Sequence, residues 1–166
     1  MENKNHILYR RFPPSEPCSC DVCRCFCHRP GWPLVSEARS AIESGLAGRL
    51  MLEFSPDRSF AVLAPAFRGN EAFFARAEYS DNICTFYSDG KCRIFGKPYQ
   101  PIECRFCHHS RLGSGMACHE ETGRDWNTAK GKRLVRQWLL ICGLGFRNLE
   151  SVAGIPAVCF KNKYCF

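Results

Sequence analysis

The stretch Cys18-Ser19-Cys20-Asp21-Val22-Cys23-Arg24-Cys25-Phe26-Cys27-His28 sets the terms on which this chain folds. A second burst, CTFYSDGKCRIFGKPYQPIECRFCHH over 84–109, adds Cys84, Cys92, Cys104, Cys107, His108 and His109. Each burst contains Cys-x-x-Cys, as Cys20/Cys23 and Cys104/Cys107. Two residues between thiols let both sulfurs turn toward one ion, a geometry shared by tetrahedral zinc and iron–sulfur sites. Two such pairs far apart in sequence point to a thiolate metal site that ties the chain to itself.

The 166 residues suffice for one domain with a core, and 45% apolar content with 13% aromatics excludes a disordered tail. Thirteen cysteines could also make a disulfide scaffold. Three features weigh against it. The segment MENKNHILYRRFPPSEP lacks the apolar core of a signal peptide. The count is odd, and the spacing is crowded. A cytoplasmic protein with reduced thiols and bound metal is the expectation. No apolar run reaches the roughly 18 residues of a membrane span. The formal charge of +7 treats every cysteine as neutral. Seven thiolates holding two zinc ions would bring it to about +4. The basic residues are scattered, so a nucleic-acid partner is not expected.

Residues 1–17 read as a polar arm broken by Pro13, Pro14 and Pro17, and residues 18–166 as one cysteine-cluster domain. The first burst is too turn-rich for a regular element. Ser36 is a candidate N-cap for a helix over 36–52, with Ala38, Ile42, Leu46 and Leu50 at steps of four. Residues 55–59 form a turn, and FAVLAPAF at 60–67 is a strand that Pro65 can stop. No period stands out over 68–82. CTFY and CRIF flank Ser88-Asp89-Gly90-Lys91, whose Asp-Gly suits a hairpin turn and would let Cys84 and Cys92 converge. Residues 113–115 mark a loop. A second helix starts near Asp125 or Thr128, runs to about Cys142, and buries Leu134, Val135, Trp138, Leu139 and Cys142. Gly143 and Gly145 stop it, and a short aromatic tail carries Cys159 and Cys165. The fold class is α+β: a small, irregular, metal-stapled domain with a few helices and a short β-hairpin.

The ordered pattern resembles the YkgJ-type cysteine-cluster family, a zinc- or iron-chelating domain. Cys20, Cys23 and Cys27 match its first group, followed by the turn HRPGW and the SEARSAIESGL segment. Cys84, Cys92 and PIECR (Pro101 to Arg105) match its second. The similarity covers about 18–50 and 82–109. Where the family has Cys-Cys this chain has Cys27-His28, and Gln100 stands where an arginine is usual. Cys18 and Cys25 are additional. The resemblance implies metal chelation. Some relatives sit in proteins that methylate lysine on flagellin, although no methyl-donor site is visible here.

Cys20, Cys23, Cys27, His28, Cys84, Cys92, Cys104 and Cys107 make eight candidate ligands, enough for two four-coordinate zinc sites. Four of them would hold one [4Fe–4S] cluster instead. Zinc suits His28; iron–sulfur suits dense thiols near Phe26, Phe86 and Phe106. His108 or His109 could enter the metal shell. Cys118-His119 could be taken for a nucleophile and base, but adjacent residues generally point apart, and no catalytic motif emerges. Two functions follow. One is a zinc-binding structural or interaction module that meets another protein. The other is an iron–sulfur protein for electron transfer or for supporting a protein-modifying enzyme.

Overall fold

The computed structural model describes residues 7–145, so the expectations for Cys159 and Cys165 lie outside the described residues. The architecture is α+β. In chain order come α1 (Ile7–Arg11), α2 (Asp21–Cys25), α3 (Val35–Glu43), β1 (Leu50–Phe54), β2 (Ala61–Pro65), β3 (Tyr87–Ser88), β4 (Lys91–Cys92), α4 (Ile102–Phe106), α5 (Gly115–Trp126) and α6 (Ala129–Ile141).

The core forms around the hairpin of β1 and β2, antiparallel with Leu52 opposite Leu63. Residues 72–75 cover the other edge of β1, where the Ala72 and Ala75 N–H groups donate to the Leu50 and Leu52 carbonyls. Both faces of β1 are buried, and its LMLEF sequence shows no alternation. The four-residue apolar step predicts a helix reaching residue 52. Instead α3 ends at Glu43, Gly45 takes φ +78, and the chain reverses into the strand. A left-handed residue ends a helix by redirecting the backbone, and glycine does so without a Cβ clash. The cap also differs. Leu34, not Ser36, is the N-cap, and the Glu37 carboxylate accepts its N–H at 2.8 Å.

α6 follows its sequence signature. Thr128 caps it by accepting the Gly131 N–H at 3.2 Å, and Leu134, Val135, Trp138 and Leu139 are buried. Trp138 donates its indole N–H to the Ala47 carbonyl at 2.9 Å, tying α6 to the turn before β1. The stretch after the glycine loop, which has no helical signature, is α5, a helix of 12 residues. Its Asp125 accepts the Val35 N–H at 2.7 Å, so α5 helps cap α3.

The N-terminal segment is not merely a polar arm. It carries α1, whose Leu8 is buried with Phe12 against Leu34, Ile102, Phe106 and Cys118. Glu37 holds this corner. It accepts Tyr9 Oη at 2.7 Å and the Ile102 N–H at 2.9 Å, and Arg105 Nε lies 3.5 Å away. Burial raises its carboxyl to about 7, while the donors around it pull the other way. At the β3–β4 turn Asp89 and Gly90 take φ +51 and +73, the left-handed pair that the Asp-Gly sequence anticipates.

Candidate metal centre

The first burst does fold locally. Cys20 is the N-cap of α2, and a 3₁₀ turn at Phe26–His28 follows with Phe26 buried. One turn of helix puts Cys20 and Cys23 on the same side, and Cys18 joins them from the extended chain before it. His109 arrives from the 3₁₀ turn His109–Arg111 that follows α4. Its Nδ1 lies 3.5 Å from Cys18 Sγ, 3.6 Å from Cys20 Sγ and 3.5 Å from Cys23 Sγ. The ligand atoms of these four residues all lie within 4.8 Å of one another, and among the described residues no other such group forms. This Cys3His group could chelate a metal ion.

Its surroundings orient the ligands. The His109 backbone N–H points at Cys23 Sγ, 3.4 Å away. The His108 ring lies 4.0 Å from that of His109, and its Nδ1 contacts Ser110 Oγ at 2.7 Å. Cys20 is exposed, and the Cys23 backbone N–H, with the neighbouring Cys18, Cys23 and His109, brings its thiol down to about 7. Burial, then the adjoining sulfurs, pushes Cys23 up to about 12. The two neighbouring sulfurs are thus pushed in opposite directions. A cation removes that conflict by stabilising all the thiolates at once.

Cys27, Cys84, Cys92 and Cys104 form a second assembly, and with Cys18 and Cys23 of the first they line one cavity of about 690 Å³. Backbone pairing joins the two bursts: the Cys84 N–H donates to the Cys27 carbonyl at 3.0 Å. The Gly31 N–H points to Cys104 Sγ at 3.2 Å. Burial raises Cys27 and Cys84 to about 12 and also raises Cys92 and Cys104. Mutual repulsion adds to this, since Cys104 feels Cys84, Cys92 and Cys27. The set is more open than the Cys3His group, with no three sulfurs mutually within 4.8 Å. Phe26, Ile94 and Phe106 supply apolar walls.

Acidic and aromatic groups border the same cavity. Glu103 accepts the Trp32 N–H at 2.8 Å and contacts His119 Nδ1 at 2.8 Å. Glu53 accepts the Trp32 indole N–H at 2.9 Å, and the His119 ring lies 3.9 Å from that of Trp32. Burial raises Glu53 to about 7. For His119, burial alone would lower the imidazole, but the Glu103 bond and nearby carboxylates outweigh it, and the net shift is upward. Gly31 permits this packing, because a Cβ there would meet Glu103 Cβ at 2.5 Å.

The structure therefore divides the expected ligands. Cys20 and Cys23 enter the Cys3His group; Cys27, Cys84, Cys92 and Cys104 share the second assembly. His28 is exposed at the end of its 3₁₀ turn and joins neither. Cys107 is disulfide-bonded, so it has no thiolate to give. Cys118 and His119 point apart on α5: one is buried beside Leu8 and Phe12, the other pairs with Glu103. Cys142 is a half-buried thiol beside the main core. Sequence reasoning gives Cys18 no role, and it misses Glu53 and Glu103. The short run Cys18-x-Cys20-x2-Cys23 is the available signal for Cys18; the carboxylates carry no local signal. Among the described residues no helix is long and apolar enough to cross a membrane. No family model, curated protein or solved structure matches the chain.

Proposed function

We propose that this protein is a zinc-chelating cysteine-cluster protein of the YkgJ type, acting in the cytoplasm as a structural module that presents its surface to another protein. One observation carries the zinc reading. A tetrahedral ion with Zn–S near 2.3 Å and Zn–N near 2.0–2.1 Å holds sulfur and nitrogen about 3.6 Å apart. The separations from His109 Nδ1 are 3.5, 3.6 and 3.5 Å. Three thiols and one imidazole make a closed structural zinc set, with no position left for substrate. Bound there, zinc joins the Cys18–Cys23 segment to the turn after α4. Zinc-edge X-ray absorption on protein purified anaerobically tests this. A shell of three sulfurs and one nitrogen that loses its nitrogen in His109→Ala is expected. An all-sulfur shell unchanged in that variant would refute it.

The wider assembly of Cys27, Cys84, Cys92 and Cys104 favours a second reading for its own occupant. Four thiols around an apolar cavity, spaced too openly for one small ion, suit an iron–sulfur cluster. Such a cluster would serve electron transfer or support a protein-modifying enzyme. A brown protein absorbing near 400 nm, with colour lost in Cys104→Ser, is the expected result. A colourless protein with two zinc ions per chain would exclude it.

A further inference from the structure

A second cleft, of about 390 Å³, lies behind the β3–β4 hairpin. Cys84 and Cys92 face the thiol cavity, whereas Thr85, Ser88 and Arg93 line this cleft. Three arginines line it from separate parts of the chain: Arg49 before β1, Arg68 after β2 and Arg93 after β4.

Each is held in place. Arg49 Nε donates to Thr85 Oγ1 at 2.9 Å and its Nη2 to the Thr85 carbonyl, and the guanidinium lies 4.9 Å over the Phe86 ring. Arg68 donates to the Tyr87 carbonyl. Arg93 Nε donates to Ser88 Oγ at 2.6 Å, and its other arm pairs with Asp89. Among the described residues no carboxylate lines the cleft. Among the described residues neither Arg49 nor Arg68 has an ion-pair partner, and these bonds leave further N–H donors on all three guanidiniums.

Arginines that only capped the hairpin's carbonyls would gain nothing from crowding positive charge around a hollow. Like charges repel, and among the described residues one exposed aspartate pairs with any of the three. Guanidinium forks match phosphate oxygens, and here they are pre-ordered by their backbone contacts. The hydroxyls of Thr85, Ser88 and Tyr99 add polar partners, while Leu46, Phe86 and Ile94 give an apolar wall. The volume is that of a small-molecule site rather than of a groove that tracks a polymer. We propose that this cleft binds the phosphoryl group of a small phosphorylated organic molecule. The inference is independent of the metal reading.

Amide-resolved NMR of the metal-replete protein tests it, with inorganic phosphate and adenosine monophosphate as probes. Saturable shifts confined to Thr85, Ser88, Arg93 and Tyr99 are expected, stronger for the monophosphate than for the bare anion. Arg68→Ala should weaken binding about tenfold or more, as the loss of one charge-assisted bond does. Asp89→Asn should tighten it. The Arg68 side chain is exposed and donates to a single carbonyl, so its variant keeps the fold; unchanged chemical shifts elsewhere verify that. Absence of saturation, or an Arg68→Ala affinity equal to wild type, would overturn the proposal. So would a single-stranded oligonucleotide that displaces the monophosphate while shifting amides well beyond the cleft.

Discussion

His109→Ala isolates what a metal at the Cys3His group does for the fold. Cys18, Cys20 and Cys23 are neighbours in sequence, so they can gather around zinc in an unfolded chain. His109 comes from 86 to 91 residues away. Bringing it to the thiols in an unfolded chain costs loop-closure entropy of about 4–5 kcal/mol on the chain-entropy model for a loop of that length. The folded chain already holds His109 in place and makes the fourth bond without that loss. Zinc should therefore stabilise wild type over His109→Ala by about 4–5 kcal/mol. That is a large part of a typical domain's roughly 5–15 kcal/mol. Without zinc the two should agree within about 0.5 kcal/mol, because the imidazole is exposed and contributes little packing. Urea unfolding with a phosphine reductant, once with saturating zinc and once with chelator, gives the four midpoints needed. With a slope near 2 kcal/mol/M, the zinc-bound midpoints should differ by about 2 M. Equal differences with and without zinc would make His109 a packing residue and refute the reasoning. So would no difference in either condition.

Cys104→Ser should lower total metal per chain by elemental analysis, whereas Cys142→Ser, beside the core and outside both groups, should leave it unchanged; equal metal in both would dissolve the second assembly. Gly31→Ala should cost about 1–3 kcal/mol in denaturant stability, since its Cβ would lie 2.5 Å from Glu103 Cβ and displace the acceptor of the Trp32 N–H; an unchanged midpoint would mean that Glu103 moves freely. Stability without metal should fall as pH rises from about 4.5 through about 7. Glu53 is raised to about 7 by burial, so the folded state holds a proton that the unfolded chain releases first. The protonated carboxyl contributes up to about 3 kcal/mol below pH 4.5, lost by the time pH passes 7. Glu53→Gln should flatten that slope, and an unaltered slope would assign it elsewhere. The metal-loaded protein should show the opposite limb, because acid protonates thiolates and releases the ion.

How much of the fold the sequence discloses depends on whether each element carries its own signal. α6 does, with a capping threonine and apolar residues three and four apart. The β3–β4 turn does, through Asp-Gly. β1 does not. Leu46 and Leu50 continue the four-residue step begun by Ala38 and Ile42, so the pattern runs on past the helix; only Gly45 in its left-handed conformation breaks it. α5 is short of apolar residues and contains two glycines, and its buried positions include Gly123, whose missing Cβ makes room for Phe60. Tertiary packing, not periodicity, makes it a helix. Leu8 and Phe12 look like isolated apolar residues in a polar arm because their partners are Ile102 and Phe106, almost a hundred residues away.

The candidate metal-binding group is legible in kind but not in its division, and the reason is geometric. Sequence proximity makes Cys23, Cys27 and His28 look like one ligand set. α2 and the 3₁₀ turn after it instead send Cys23 toward the Cys3His group and Cys27 toward the second assembly, leaving His28 outside both. A ligand's direction depends on the turn it occupies, and one tightened turn rotates everything beyond it. The imidazole that completes the first set lies two residues beyond Cys107, a thiol lost to a disulfide. The two groups also differ in what they ask of a metal. Cys20 sits exposed with its thiol brought down to about 7, ready to bind near neutrality. Half-buried Cys27 and buried Cys84, both raised to about 12, give up their protons only to a strongly bound cation. A metal ion should therefore reach the exposed Cys3His group faster and leave it faster, and the more enclosed second assembly should hold its occupant against a chelator that empties the first.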